Sequence, residues 1–137
     1  MKKRISLEEA IKFHGHLGPY LVLGLLAGEL ALKKLRYKKY FGLDVKIWGA
    51  NKRPKSCLID GLQLSTGATY GKGNIRKLNS KIIKIVARGK RENNRLVIKF
   101  REELIKELKA AKTHRDSEIL ANKLYKTNPS ELFLTES

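Results

Sequence analysis

The chain has 137 residues and carries 30 lysines and arginines against 13 aspartates and glutamates, which gives a formal net charge of +17. Its one cysteine excludes an internal disulfide framework, and no apolar run approaches the roughly 20 residues that cross a bilayer. The N-terminus has no signal-peptide pattern, so we expect a cytoplasmic protein without membrane contact. A length of this order predicts a single domain over residues 1–137.

The basic charge is concentrated in two segments. Residues 33–55 hold nine basic residues against Asp44 alone, and residues 72–101 hold eleven against Glu92 alone. Such a field attracts nucleic acid, but the aromatic residues do not alternate with the basic ones and no nucleic-acid-binding motif is present. We therefore do not expect nucleic acid as the primary partner. The Lys- and Ile-rich composition is also typical of thermophile proteins.

The first two predicted elements are helices. A capping box at Ser6 begins a short helix that ends at the next glycine. Pro19 suits the first turn of a second helix over residues 20–37, which is apolar on nearly every side and is therefore predicted to be the buried central helix. Gly24 and Gly28 lie four residues apart in this helix, and we expect them to allow close packing against the sheet.

The rest of the chain predicts strands followed by helices. Residues 43–50 alternate apolar and polar side chains, which is typical of a half-buried strand. Further elements are predicted in this order: a helix at 54–66, strands at 75–78, 81–88 and 95–100, helices at 102–112 and 116–126, and a turn at 128–131. The predicted fold class is α+β, an antiparallel sheet packed against helices, with a helical C-terminal extension from about residue 101.

The most unusual residues lie between positions 57 and 74, a stretch that contains the only cysteine and the only glutamine. On a helix, Cys57 and Asp60 are three residues apart and face a common pocket. The glycine-rich loop that follows brings backbone N–H groups and a lysine together, as sites for small anions do. We therefore predict that a small anionic substrate is bound by Gln63, Thr66, Thr69, Lys72 and Asn74.

A second polar cluster, His14-Gly-His16, lies in the turn between the first two helices. Together with Cys57 it would form a ligand set that leaves one coordination position open, as catalytic zinc sites do. The two motifs are roughly 40 residues apart and have no separate explanation, so we expect both histidines to lie within about 8 Å of Cys57. Histidines in a loop are also common surface residues, and a lone cysteine is also a common core residue.

Two stretches carry a resemblance to a known family. Residues 13–19 read FHGHLGP, and residues 56–74 read SCLIDGLQLSTGATYGKGN. They resemble the FmdE family, also written FwdE, which is named for formylmethanofuran dehydrogenase. The resemblance implies an α+β core similar to the catalytic domain of glyceraldehyde-3-phosphate dehydrogenase (GAPDH), a homodimer, and a metal-binding or active site made of the His-Gly-His, cysteine and aspartate residues. It also links the chain to archaeal one-carbon metabolism.

The chain differs from the family pattern in two respects. Many members have cysteine at the positions of Gly18 and Ala68, and many append a cysteine-rich zinc finger, whereas residues 114–137 contain no cysteine. No C-terminal finger is therefore expected. The resemblance implies that His14, His16 and Cys57 are the retained ligands, without identifying the metal. From the ligand types we expect a divalent ion, zinc.

Two functions from different classes remain. In the first, the chain is a metal-dependent enzyme in which Cys57 and Asp60 are catalytic, with Asp60 as base or as partner of a ligand, and the Lys72 loop binds the substrate. In the second, it is a non-catalytic accessory protein that binds a molybdenum or tungsten enzyme or its anionic cofactor. The apolar central helix and the edge strands also predict a homodimer, because one small layer cannot cover so much apolar surface.

Overall fold

The structure is a computed structural model that describes residues 5–137, so the first four residues of the predicted domain lie outside the described residues. In chain order the elements are α1 Leu7–His14, α2 Pro19–Leu35, β1 Leu43–Trp48, α3 Cys57–Thr66, β2 Ile75–Leu78, β3 Lys84–Gly89, β4 Arg95–Phe100, α4 Glu102–Ala110, α5 His114–Tyr125, a 3₁₀ turn Pro129–Glu131, and β5 Phe133–Glu136. This order confirms most of the predicted elements.

The five strands form one sheet in the order β2-β1-β3-β4-β5. β1 pairs with β2 in parallel, and the other pairs are antiparallel. Alternate side chains of β1, β3 and β4 are buried against the helices, so a mostly antiparallel sheet packs on one helical layer. This arrangement confirms the predicted α+β class.

α2 is the buried central helix, as its composition predicts, but its glycines do not face the sheet. A Cβ on Gly24 would lie 2.8 Å from the Cα of Gly61, and a Cβ on Gly28 would lie 2.8 Å from the Cβ of Ser65. Both contacts are with α3. The expectation that these glycines pack against the sheet was therefore wrong, because a four-residue spacing defines one face of a helix without defining what packs on it.

The strand boundaries and the last strand also differ from the prediction. β3 begins at Lys84 rather than at residue 81, because Ser80 Oγ accepts the N–H of Ile82 and holds the preceding residues in a turn. β5 was not predicted. It pairs with β4 by placing Phe133 opposite Phe100, yet only its first residue is buried, so it has no alternating pattern to detect.

Within residues 5–137, no single helix combines the length and the apolar composition that a bilayer crossing requires. α1 and α2 meet both requirements only as a pair, and the pair is bent by 120°. Most of α2 is buried inside the fold.

Gly61→Ala is expected to destabilise the fold although alanine is the better helix former. The added Cβ would overlap the carbonyl oxygen of Leu21 and lie 2.8 Å from Gly24 Cα. Overpacking of this kind costs about 1–3 kcal/mol or more, whereas the gain in helix propensity is roughly 1 kcal/mol. We expect the free energy of unfolding, measured by chemical denaturation, to fall by about 2 kcal/mol.

Gly71→Ala is the matched control, because a Cβ added there lies in ordinary contact with Thr69 Oγ1, at 3.9 Å. It is expected to change the free energy of unfolding by less than about 0.5 kcal/mol. Equal losses in the two variants would contradict the close approach of α2 and α3.

Candidate metal centre

Three possible metal ligands meet where the end of α1 faces the start of α3. His14 is the last residue of α1, and Cys57 is the first residue of α3. Between His14 and His16 the chain turns at Gly15, whose φ of +105° is left-handed and favours glycine. This turn folds the second imidazole back beside the first.

The distances within this group are short. The Nε2 atoms of His14 and His16 lie 3.1 Å apart, and the ring centroids lie 4.6 Å apart. One ligand atom from each histidine and the Sγ of Cys57 all lie within 4.8 Å of one another. The expectation that both histidines lie within about 8 Å of Cys57 is therefore confirmed.

Asp60 fixes the orientation of His14. It lies one turn along α3 from Cys57, and its Oδ2 accepts a hydrogen bond from His14 Nδ1 at 2.6 Å. Because the proton of the neutral ring is then on Nδ1, the lone pair is on Nε2, the atom that faces His16. A carboxylate behind a histidine in this way is the usual partner of a metal-binding imidazole.

Cys57 is buried, with 8% of its surface exposed. Burial raises the pKa of its thiol, the negative charge of Asp60 raises it further, and the positive charge of Arg53 acts in the opposite direction. The thiol is therefore neutral at pH 7 in the absence of a bound cation. A metal ion that binds this sulfur has to displace its proton.

The three residues form a donor set that could hold a metal ion. Imidazole nitrogen and thiolate sulfur are donors that zinc prefers, and the ligand atoms of one tetrahedral zinc ion lie about 3.3–3.6 Å apart. The imidazole nitrogens are 3.1 Å apart and all three ligand atoms lie within 4.8 Å of one another, so the group is compact enough for small side-chain shifts to bring its atoms to one ion. Three protein ligands leave a fourth position open, which is typical of catalytic rather than structural zinc sites.

A cleft of about 320 Å³ adjoins this end of α3. It is lined by Gly49, Asn51, Lys52, Arg53, Pro54 and Lys55. The carbonyl oxygen of Pro54 accepts the N–H of Cys57 at 3.1 Å, so the cleft wall is bonded to a ligand residue. Asn51 Oδ1 is buried and has no hydrogen-bond partner among residues 5–137.

These cleft residues are not among the site residues predicted from the sequence. The signal was present, because three cations occupy the four positions 52–55 and directly precede the Cys57 helix. Three cations and an unpaired amide oxygen suit an anionic ligand that also carries a hydrogen-bond donor.

The residues predicted to bind an anionic substrate lie at the other end of α3. Thr66 is the last residue of the helix, so it lies about 14 Å along the axis from Cys57. Its hydroxyl donates to the Leu62 carbonyl at 2.6 Å and accepts the Ala68 N–H at 3.0 Å. The structure does not bring these residues to the metal centre, and their role in binding substrate stays a prediction.

The remaining residues of that set hold the loop between α3 and β2. Buried Asn74 accepts the Thr69 N–H at 2.8 Å and donates to the Tyr40 carbonyl at 3.0 Å. Gln63 Oε1 accepts the Tyr70 N–H at 3.1 Å. Thr69 Oγ1 accepts from both the backbone N–H and the ammonium group of Lys72 at 3.3 Å.

His14 of the metal-free protein is expected to carry its ring proton on Nδ1, because the Asp60 carboxylate accepts from that atom. Long-range ¹⁵N–¹H NMR at pH 8, where ordinary imidazoles are neutral, measures the tautomer directly. Asp60→Ala is expected to remove this preference and to leave the spectrum of His114, on α5, unchanged. A His14 spectrum that does not respond to the substitution would contradict the pairing.

Asn74→Ala is expected to lower the free energy of unfolding by about 2–3 kcal/mol, because it removes the partners of the Thr69 N–H and the Tyr40 carbonyl. Lys72→Ala, which changes an exposed lysine in the same loop, should alter it by less than about 0.5 kcal/mol. Urea denaturation of the two variants measures the difference. Comparable losses would show that Lys72 is a structural residue.

Comparison with known proteins connects this geometry to a family. The family model described as "FmdE, Molybdenum formylmethanofuran dehydrogenase operon" matches residues 13–134. A probable S-adenosyl-L-methionine-binding protein of Archaeoglobus fulgidus is 33% identical over 73 residues, which are 50% of this chain and 19% of that protein. The chain thus spans less than a fifth of that relative's length. Since the family model covers both motifs and most of the chain, the chain belongs to the FmdE family.

Proposed function

We propose that this FmdE-family chain binds a zinc ion through His14, His16 and Cys57 and uses it in a reaction on a small anionic substrate, in connection with formylmethanofuran dehydrogenase. One observation carries the proposal. Three ligand atoms from two distant segments lie within 4.8 Å of one another, and a carboxylate is bonded to one of the imidazoles. A set of three protein ligands is typical of zinc sites that keep a position for water or substrate.

Asp60 acts on the reaction through His14 in this proposal. Its Oδ2 is 2.6 Å from Nδ1, so it keeps the proton on that nitrogen and directs the Nε2 lone pair toward the site. We therefore assign Asp60 as a positioning residue rather than as a general base. When bound, a zinc ion supplies a Lewis acid or an activated water molecule.

The cleft of residues 49–55 is the proposed place for the substrate. Lys52, Arg53 and Lys55 attract an anionic group to its walls. Asn51 also lines the cleft, and its buried Oδ1 has no hydrogen-bond partner among the described residues. The Pro54 carbonyl accepts the N–H of Cys57, so this wall is bonded to the backbone of a proposed ligand residue.

Elemental analysis tests the metal site. Protein purified without an affinity tag is expected to contain about one zinc ion per chain, and Cys57→Ala is expected to lose it, because two imidazoles alone hold zinc weakly. Asp60→Ala should retain the ligands but bind zinc about 10- to 100-fold more weakly, as measured by competition with a chelator. Lys72→Ala is the control and should bind zinc like the unmodified chain.

The same variants separate the enzyme from an accessory protein. An accessory role predicts that Cys57→Ala still associates with a molybdenum or tungsten enzyme in a pull-down, because the contact would be made by the basic surface. Equal zinc content in the unmodified chain and in Cys57→Ala would exclude the proposed centre.

A further inference from the structure

A second, larger cleft lies at the ends of α2 and α3 that are farthest from the metal centre. Its volume is about 520 Å³, and its walls carry five cations: Arg36, Lys38, Lys39, Lys90 and Arg91. Among residues 5–137, no acidic side chain lines it, although Lys90 lies 3.6 Å from an oxygen of Asp44 and Arg91 lies 4.0 Å from one of Glu92. Two segments form it, the loop after α2 and the hairpin between β3 and β4. A cleft of this size and charge is suited to an extended anionic ligand.

Exposed aromatic side chains stand beside these cations. Tyr40 is 56% exposed and Phe41 is 70% exposed, and Phe41 also lines the cleft. The ammonium group of Lys72 lies 5.5 Å from the Phe41 ring and 6.0 Å from the Tyr40 ring. A folded chain usually buries such rings, since burial of one stabilises by about 1.5–3 kcal/mol. Leaving two neighbouring rings in solvent therefore indicates a binding surface.

The loop that carries these rings is fixed rather than loose. Arg36 and Tyr40 have φ values of +63° and +86°, left-handed conformations that are unusual for residues other than glycine. The Tyr40 N–H donates to the Thr66 carbonyl at 2.9 Å, and the Tyr40 carbonyl accepts from buried Asn74 at 3.0 Å. The fold thus fixes the backbone at Tyr40, and the exposed ring of the next residue, Phe41, lines the cleft.

We propose that this basic-aromatic cleft binds single-stranded nucleic acid, with phosphates on the five cations and bases stacked on Tyr40 and Phe41. A positively charged groove beside exposed rings is the combination that single-strand binding requires. A flat lipid surface does not enter a concave cleft, and a second copy of the chain would place the same cations against each other. The inference is independent of the metal centre.

The sequence did not reveal this combination because the contributing residues come from three separate segments. Residues 36–42, Lys72 and residues 90–91 are brought together only by the packing of the loops. Cations and rings do mix in residues 36–41, which read Arg-Tyr-Lys-Lys-Tyr-Phe, but this mixture occurs once and does not repeat along the chain as it does in many base-stacking proteins.

Fluorescence anisotropy with a labelled twelve-residue oligothymidylate tests the proposal. The unmodified chain is expected to bind with a dissociation constant of about 1–100 μM at physiological salt. Replacing Lys38, Lys39 and Arg91 by glutamine is expected to weaken binding more than tenfold and to reduce the slope of log K against log salt by about 2. Replacing Lys106, Lys109 and Lys112 by glutamine removes the same charge elsewhere and should change binding less than twofold.

Phe41→Ala tests the stacking component. It is expected to weaken oligonucleotide binding about tenfold, whereas Ile119→Ala, which truncates another exposed apolar residue, should have no effect. All of the substituted side chains are exposed except Lys39, which is half-buried, and unchanged circular dichroism verifies the fold.

Equal losses of oligonucleotide affinity in the two charge variants would overturn the proposal, because they would show that the overall positive charge of the chain, and not the cleft, attracts the oligonucleotide. Two further probes test other occupants of the cleft: inorganic triphosphate stands for a small polyphosphate ligand, and phosphatidylserine vesicles stand for an anionic lipid surface. The proposal is also wrong if triphosphate or vesicle binding is weakened by the substitutions at Lys38, Lys39 and Arg91 while oligonucleotide binding is unchanged by Phe41→Ala.

Discussion

The close contact between α2 and α3 is the constraint on which the rest of the structure depends. Gly24 and Gly61 leave no room for side chains between the two helices, and Gly28 meets Ser65 one turn further on. These two contacts follow the same direction along both helices, so α2 and α3 run side by side in parallel. The start of α3 therefore lies at the turn before α2, beside both histidines, and its end lies beside the loop that follows α2.

The hydroxyl group of Ser65 is the polar group at this helix contact. Ser65 Oγ lies 3.1 Å from the Gly24 carbonyl and 2.8 Å from the Gly61 carbonyl, so it serves both helices at the point where water is excluded. A larger side chain at position 65 would separate the helices, and an apolar one would leave this contact without its interhelical hydrogen bond. The glycines of the 57–74 stretch thus have different roles: Gly61 allows the contact, and Gly67, at φ +76°, ends the helix.

The sequence predicted the α+β class and most elements because periodicity is a local property. It predicted the group of His14, His16 and Cys57 from residue types and from the family resemblance, although the two segments are distant in the chain. The sequence was less informative about tertiary contacts, which depend on which helices and strands pack together. Helical spacing placed Gly24 on a packing face but could not identify α3 as its neighbour, and one buried residue could not mark β5 as a strand. The Lys72 loop follows Cys57 in the chain, yet the length of α3 separates the two. The homodimer stays a prediction.

The charges around Cys57 explain why a divalent cation suits this site. Without one, the Asp60 carboxylate and burial both oppose the thiolate, and only Arg53 favours it. A divalent ion on the thiolate and two neutral imidazoles is balanced by two negative charges, one from Cys57 and one from Asp60 behind His14. The centre then has no net charge to repel an anion. Lys52, Arg53 and Lys55 make the nearby cleft positive, which is why we propose it as the place for an anionic substrate.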